Sequence, residues 1–340
     1  MTGFAFHRRT LLAAMAATAV AAPARAGAPI RLGVLRTVSP APFYIAHSRG
    51  LFAAQGVEVE FKFFQAAQPI AAAAVAGDID VGVTALTGGF FALAGKGELQ
   101  VIGGGLHETK GFDLTAVLVS RQAYDAGLTS LDKLPGHSFG ITQFGSSFHY
   151  MLGQLAVARK FDIKSVTLRP LQQVPNMVAA VRSGQVDATM AIASMARPLE
   201  AAGEAKIIGW VGDHVPYQIT ALFATAPMIA TRADDLQKFC RAYQAGVAAY
   251  RAAFLRFDAA GKPIYDGATD AAIADITKYV FTGDPAAASK IKAGIGWYDV
   301  GGALDVADVK AQLAWFAAEG LVKGPIDPDG IIDTRFLPTR

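Results

Sequence analysis

Cys240 is the one cysteine in 340 residues, which excludes any disulfide within the chain. No apolar run approaches the roughly 20 residues that span a bilayer; the run at residues 11–22 has 12. Signatures of catalysis and of metal binding are missing as well. The histidines, His7, His47, His107, His137, His149 and His214, form no His-x-x-x-His pair and none pairs with the cysteine, so a zinc site has no support. Phe144-Gly-Ser-Ser-Phe148 lacks the second glycine of a nucleophile elbow. Gly103-Gly-Gly105 has neither the phosphate-loop lysine nor the dinucleotide fingerprint, and Asp78-Ile-Asp80 lacks the further ligands of a calcium loop. The expectation is a chain without catalytic set, metal or cofactor.

What is present begins with an export signal. His7-Arg8-Arg9-Thr10 is a basic start, residues 11–22 are apolar, and Ala24-Arg25-Ala26 is a small-x-small cleavage site. The paired arginines before Thr10-Leu11-Leu12 point to the twin-arginine route, with general secretion as the alternative. Residues 1–26 are therefore set apart from the fold. Removing Arg8, Arg9 and Arg25 leaves 28 basic against 28 acidic residues, so a nucleic-acid partner is not expected. No cysteine adjoins the cleavage site to carry a lipid anchor. The mature protein is expected to be soluble in a bacterial periplasm. Its size exceeds what one core usually serves, which favours two domains.

From residue 30 apolar runs alternate with helical periodicity. Strands are predicted at 30–35, 57–64, 80–83 and 99–103, with helices at 43–55, 69–76 and 88–97 between them, the pattern of parallel βαβ units. A further strand at 116–119 leads to a second set: strands 138–142, 166–170, 188–192 and 206–210, helices 146–159, 174–183 and 195–202. After residue 224 the pattern is mostly helical, with runs at 234–258, 269–281, 285–292 and 306–318.

Four strand-to-helix turns carry small polar groups, and open α/β sheets place ligands at such strand ends. The first, Val38-Ser-Pro-Ala-Pro-Phe-Tyr44, sets Ser39 before a helix whose first turn accommodates Pro42; Phe43 and Tyr44 adjoin it. The second, Thr142-Gln-Phe-Gly-Ser-Ser-Phe-His-Tyr150, combines the tight turn allowed by Gly145 with Ser146 or Ser147 as N-cap, and its free helix-start amides suit an anion or carbonyl. His149 follows it. Thr84 and Thr87 mark the third turn and Ser194 the fourth. Ser39, Phe43, Tyr44, Thr84, Thr87, Gly145, Ser146, Ser147, His149 and Ser194 are the candidate ligand contacts. Singly each turn is an ordinary helix start; two from each half converging on one cleft would make a site.

With these residues in view, the chain resembles the periplasmic substrate-binding proteins of ABC importers for nitrate, alkanesulfonates, taurine and thiamine pyrimidine precursors. The resemblance rests on Pro42-Phe-Tyr-Ile-Ala46 through Gly50-Leu-Phe52, Gly77-Asp-Ile-Asp-Val-Gly82, Leu131-Asp-Lys-Leu-Pro-Gly136, Gly145-Ser-Ser147 and Gly184-Gln-Val-Asp-Ala188. It implies an α/β, two-lobe type II periplasmic-binding fold: each lobe a mainly parallel sheet flanked by helices, with two crossover strands as hinge. Residues 28–117 plus 222–340 would form one lobe and 118–221 the other, with Asp80 and Asp187 structural. It also implies a monomer that passes a small ligand to permease and ATPase subunits. No arginine lies in the four turns, so a monoanion or a polar ring suits them better than a dianion. Fungal thiamine-pyrimidine synthases share the fold and the opening motif, but carry a cysteine-rich iron motif that this chain lacks. A binding protein that feeds a sensor is the remaining alternative.

Overall fold

The computed structural model describes residues 27–340; the export-signal reading of residues 1–26 lies outside the described residues. The strands among them are, in chain order, β1 (Ile30–Leu35), β2 (Val59–Phe64), β3 (Val81–Ala85), β4 (Leu99–Gly104), β5 (Leu106–Glu108), β6 (Thr115–Ser120), β7 (Ser138–Ile141), β8 (Thr167–Pro170), β9 (Ala188–Ile192), β10 (Ala205–Trp210), β11 (Tyr217–Gln218), β12 (Thr220–Thr225) and β13 (Trp297–Tyr298). They form two five-stranded sheets, in the orders β2-β1-β3-β12-β4 and β10-β6-β9-β7-β8, and a small sheet β11-β5-β13.

Each large sheet is parallel in strand direction except for one inserted strand. In the first, β12 runs antiparallel to both neighbours, β3 and β4. In the second, β6 runs antiparallel to β9 and β10. The mainly parallel, two-lobe α/β fold expected from the sequence is thus present. The chain crosses between the sheets twice, after β5 and after β11, and these two strands pair antiparallel, with Tyr217 opposite Glu108 and Gln218 opposite His107. They are the hinge strands of the fold, and β13 adds a third strand beside β5.

The two halves repeat one construction. In the first, the amide and guanidinium of Arg31 on β1 donate to the Asp80 carboxylate at 2.7–3.0 Å. In the second, the amide and hydroxyl of Ser138 on β7 donate to Asp187 at 2.8 Å. Both pairs are 49 residues apart. The two aspartates pin the start of one central strand to the start of its parallel neighbour, which is the structural role expected of them.

Three local expectations change. The helix expected over 43–55 is two, Ala41–Ser48 and Leu51–Ala54, because Gly50 turns left-handed at φ 68°. β5, β11 and β13, at two or three residues each, fall below the length at which period-2 patterning registers. The stretch ending at residue 224, unassigned in sequence, is β12, an inner strand of the first sheet between β3 and β4, buried on both faces and so without alternation.

Candidate ligand-binding cleft

A cavity of about 80 Å³ lies between the lobes and against the hinge strands. The first lobe contributes Leu35, Thr37, Ser39, Ala66, Ala67 and Ala85. The second contributes Thr142, Ser147, Phe148, Met151, Val174, Ile192 and Met195. Leu106, Thr115, Ile219 and Thr220 close it at the hinge. Its polar groups are six hydroxyls, and no ionisable side chain is in its lining. The lobes touch beside it. The Gly88 amide, at the start of the helix Gly88–Ala94, donates to the Gly145 carbonyl at 2.9 Å. Gly153 on the helix Ser147–Arg159 lies so close to Trp315 on the helix Val306–Ala318 that a Cβ there would fall 2.3 Å from the indole. The cleft is therefore closed in this structure.

Of the sequence-derived candidates, Ser39 and Ser147 line the cavity. Ser39 shares a hydrogen bond with Thr37 between their hydroxyls at 2.9 Å. Ser147 is the first residue of its helix, where unpaired amides and the positive dipole end favour an acceptor. Phe148 and Met195 supply the apolar wall beside them.

The other candidates stand elsewhere. Phe43 is fully buried and stacks on Tyr243 at 4.3 Å between ring centroids. Tyr44 is fully buried, stacks on Tyr279 at 4.8 Å and donates its hydroxyl to the Leu35 carbonyl. Both are core residues and neither lines the cavity. The physical reason is direction: helical side chains lean toward the helix N-terminus, which carries Tyr44 back under the end of β1. Thr87 caps its helix by accepting from the Phe90 amide at 3.0 Å. Ser146 caps the helix Ser147–Arg159 by accepting from the His149 amide at 3.3 Å. Gly145 holds the turn at φ 76°, and its amide donates to Nδ1 of His149 at 3.2 Å. That bond, with edge-on rings of Trp315 and Phe144, makes His149 a packed turn residue, and burial lowers its pKa. Thr84 and Ser194 are buried with hydroxyls that have no partner, and both lie outside the lining.

Sequence reasoning missed the hydroxyls of Thr37, Thr115, Thr142 and Thr220. Thr37 and Thr142 sit at the ends of strand runs, two residues before Ser39 and three before Gly145, and were legible by that position. Thr115 and Thr220 begin strands whose importance depends on the crossover. A further residue has no sequence signal at all. Glu108 on β5 is 1% exposed, and neither of its carboxylate oxygens has a hydrogen-bond partner of good geometry. Burial raises its pKa to about 8, against a smaller opposing pull from the nearby Thr115 hydroxyl and the Thr115 and Gly212 amides.

Among the described residues no group of histidine, cysteine and acidic side chains could hold a metal ion, and no helix is long and apolar enough to cross a membrane. The family model described as "NMT1/THI5 like" matches residues 38–253. No curated protein matches the chain in sequence. Solved structures share its fold at low identity. The alkanesulfonate-binding protein of Xanthomonas axonopodis pv. citri, bound to MOPS, is 17% identical, with a TM-score of 0.71 over 92% of this chain and 100% of its own. A zinc-bound ligand-binding component of an ABC-type import system from Staphylococcus aureus is 15% identical, with a TM-score of 0.69 over 90% and 97%. The desulfurization enzyme DSZB is 14% identical, with a TM-score of 0.58 over 91% and 97%.

Proposed function

The chain belongs to the NMT1/THI5-like family, and on that premise we propose that it is the solute-binding component of an ABC importer, acting in the periplasm. The observation that carries this reading is the cavity itself. It is closed between two lobes, lined by hydroxyls and apolar side chains, and has no titratable group in its lining. Such a wall can enclose and orient a solute, but its lining offers no general acid or base to a reaction and none to activate its hydroxyls. That favours capture over catalysis, although an enzyme shares the fold. Ser39 and Ser147 are the side chains proposed to hold the polar end of the solute, and Phe148, Met151 and Met195 its body. Closure of the lobes on the solute would present a changed surface to permease and ATPase subunits. The proposed ligand is a small organic molecule whose end at Ser39 and Ser147 is a sulfonate, an aromatic carboxylate or a pyrimidine-like ring.

A thermal-shift screen of sulfonates, aromatic carboxylates, pyrimidines, amines and amidines tests this. A true ligand raises the melting temperature by mass action, by about 2.7 kcal/mol of stability at a hundredfold excess over Kd. Ser147→Ala should weaken the hit by about 1–3 kcal/mol if its acceptor is charged. A screen with no stabilising compound, or a hit indifferent to Ser147→Ala, would count against the site.

A further inference from the structure

The hinge ribbon has two faces, and they differ in how their charges are paired. Residues alternate across a strand, so Leu106 and Glu108 of β5 share a face, as do Tyr217 of β11 and Ile219 just beyond it. Leu106 and Ile219 line the cavity; Glu108 and Tyr217, opposite each other in register, continue the same face. The opposite face carries His107 and Gln218. There the charges are paired: His107 Nε2 lies 2.9 Å from the Asp299 carboxylate, off the line of a hydrogen bond, Arg340 reaches the same carboxylate at 3.0 Å, and Gln218 binds through its amide to Asp308 and through its side chain to Thr220 and Asp305.

The cavity-side face has no opposite charge. Both oxygens of Glu108, the Thr115 hydroxyl and the Tyr217 hydroxyl are buried without a hydrogen bond of good geometry. Glu108 and Thr115 are each 1% exposed. Thr115 lines the cavity with the Glu108 carboxyl close behind it. One Glu108 oxygen is packed against Gly212, 3.2 Å from where a Cβ on that glycine would lie. The ionisable groups around the carboxyl are Tyr217 on β11, with Tyr150 packed on its ring, and the exposed Asp213 on the turn beside Gly212; none is basic. No arginine or lysine among the described residues pairs with Glu108, and none lines the cavity. Three buried polar groups without well-formed hydrogen bonds cost stability, and the one charge they can produce is negative.

Resting on the solute-binding reading, we propose that Glu108 and Thr115 form the inner end of the site and that it takes a solute whose buried end is a cationic nitrogen, an amine or an amidine. The nitrogen donates a hydrogen bond to the Thr115 hydroxyl, and that hydroxyl donates to the Glu108 carboxylate. The empty site holds Glu108 as the neutral acid. Binding of the cation therefore releases the Glu108 proton to solvent, and charge balances: the cation enters, one proton leaves. Below about pH 8 affinity rises with pH by up to about tenfold per unit, the slope of a one-proton release.

Acetamidine and benzamidine, with acetate and benzoate as carboxylates of like shape, are the probes. Titration calorimetry in two buffers of different ionisation enthalpy reads the proton directly. Expected are amidine binding with release of one proton, and a loss of about tenfold or more in affinity, together with loss of the proton release, in Glu108→Gln. Thr115→Val gives the same loss if Glu108→Gln does not fold, and Asp327→Asn, an exposed residue of the C-terminal segment, leaves binding unchanged. Carboxylate binding alone, amidine binding without proton release, or amidine binding indifferent to both variants overturns the proposal while leaving solute capture intact. Failure of all four probes also overturns it, and only if the wider solute screen fails as well does the underlying reading fall with it.

Discussion

Burial acts on two side chains near the cleft in opposite senses. It keeps His149 neutral, so the folded chain resists a proton that an unfolded histidine takes up below about pH 6.5; this contribution to stability is lost as pH falls through that value. It keeps Glu108 protonated up to about pH 8, whereas the unfolded glutamate ionises near pH 4.3. Between those two values folding takes up a proton, so stability falls as pH rises. Glu108→Gln should flatten that fall: the difference in melting temperature between pH 5 and pH 8 becomes smaller than in the unaltered protein. Calorimetric scans at the two pH values measure it, and a profile that keeps its full slope would assign the titration to another group. Aromatic residues show the converse lesson. Phe43 and Tyr44 stand in the chain beside a ligand-type turn, yet their side chains belong to the core. Adjacency in sequence did not reveal the direction in which the first helical turn points them.

At the scale of elements, the alternation of strand and helix was readable because most strands are continuous apolar runs bounded by glycine and polar turns. β1, β3, β7 and β9 all fall where periodicity places them. Of the two inserted strands, β6 was legible and β12 was not. β12 pairs only with strands more than a hundred residues earlier, and no local pattern encodes a partner at that distance. The site suffers from the same limit, since Thr115 and Thr220 matter only through the crossover. The paired aspartates allow a comparison between the halves. Asp80 is well shielded and holds an arginine as well as an amide, whereas Asp187 is more exposed, with 38% of its side-chain surface open, and holds an amide and a hydroxyl, with His137 Nδ1 3.5 Å away. Asp80→Ala should cost about 2–3 kcal/mol and Asp187→Ala about 1 kcal/mol. Urea unfolding of the two variants checks the order; equal losses would mean that burial does not set the difference.

For the whole molecule, the contact between Gly153 and Trp315 measures how closed the lobes are. Alanine favours a helix over glycine by about 1 kcal/mol, so Gly153→Ala strengthens its own helix while forcing the indole away. The expected result is a protein that folds with a larger radius of gyration in X-ray scattering and binds its solute more weakly, because closure is part of the binding free energy. An unchanged radius would show that Trp315 yields without moving the lobe.

The order of strands in the first sheet bears on how the chain comes into being. β4 is joined to that sheet only through β12, so the sheet cannot be completed until residue 225 has left the ribosome. The second sheet draws every strand from residues 115–210 and needs nothing made later. The lobe begun second is therefore the one that can be finished first, and the earlier lobe waits, with β3 and β4 apart, for the strand that will lie between them.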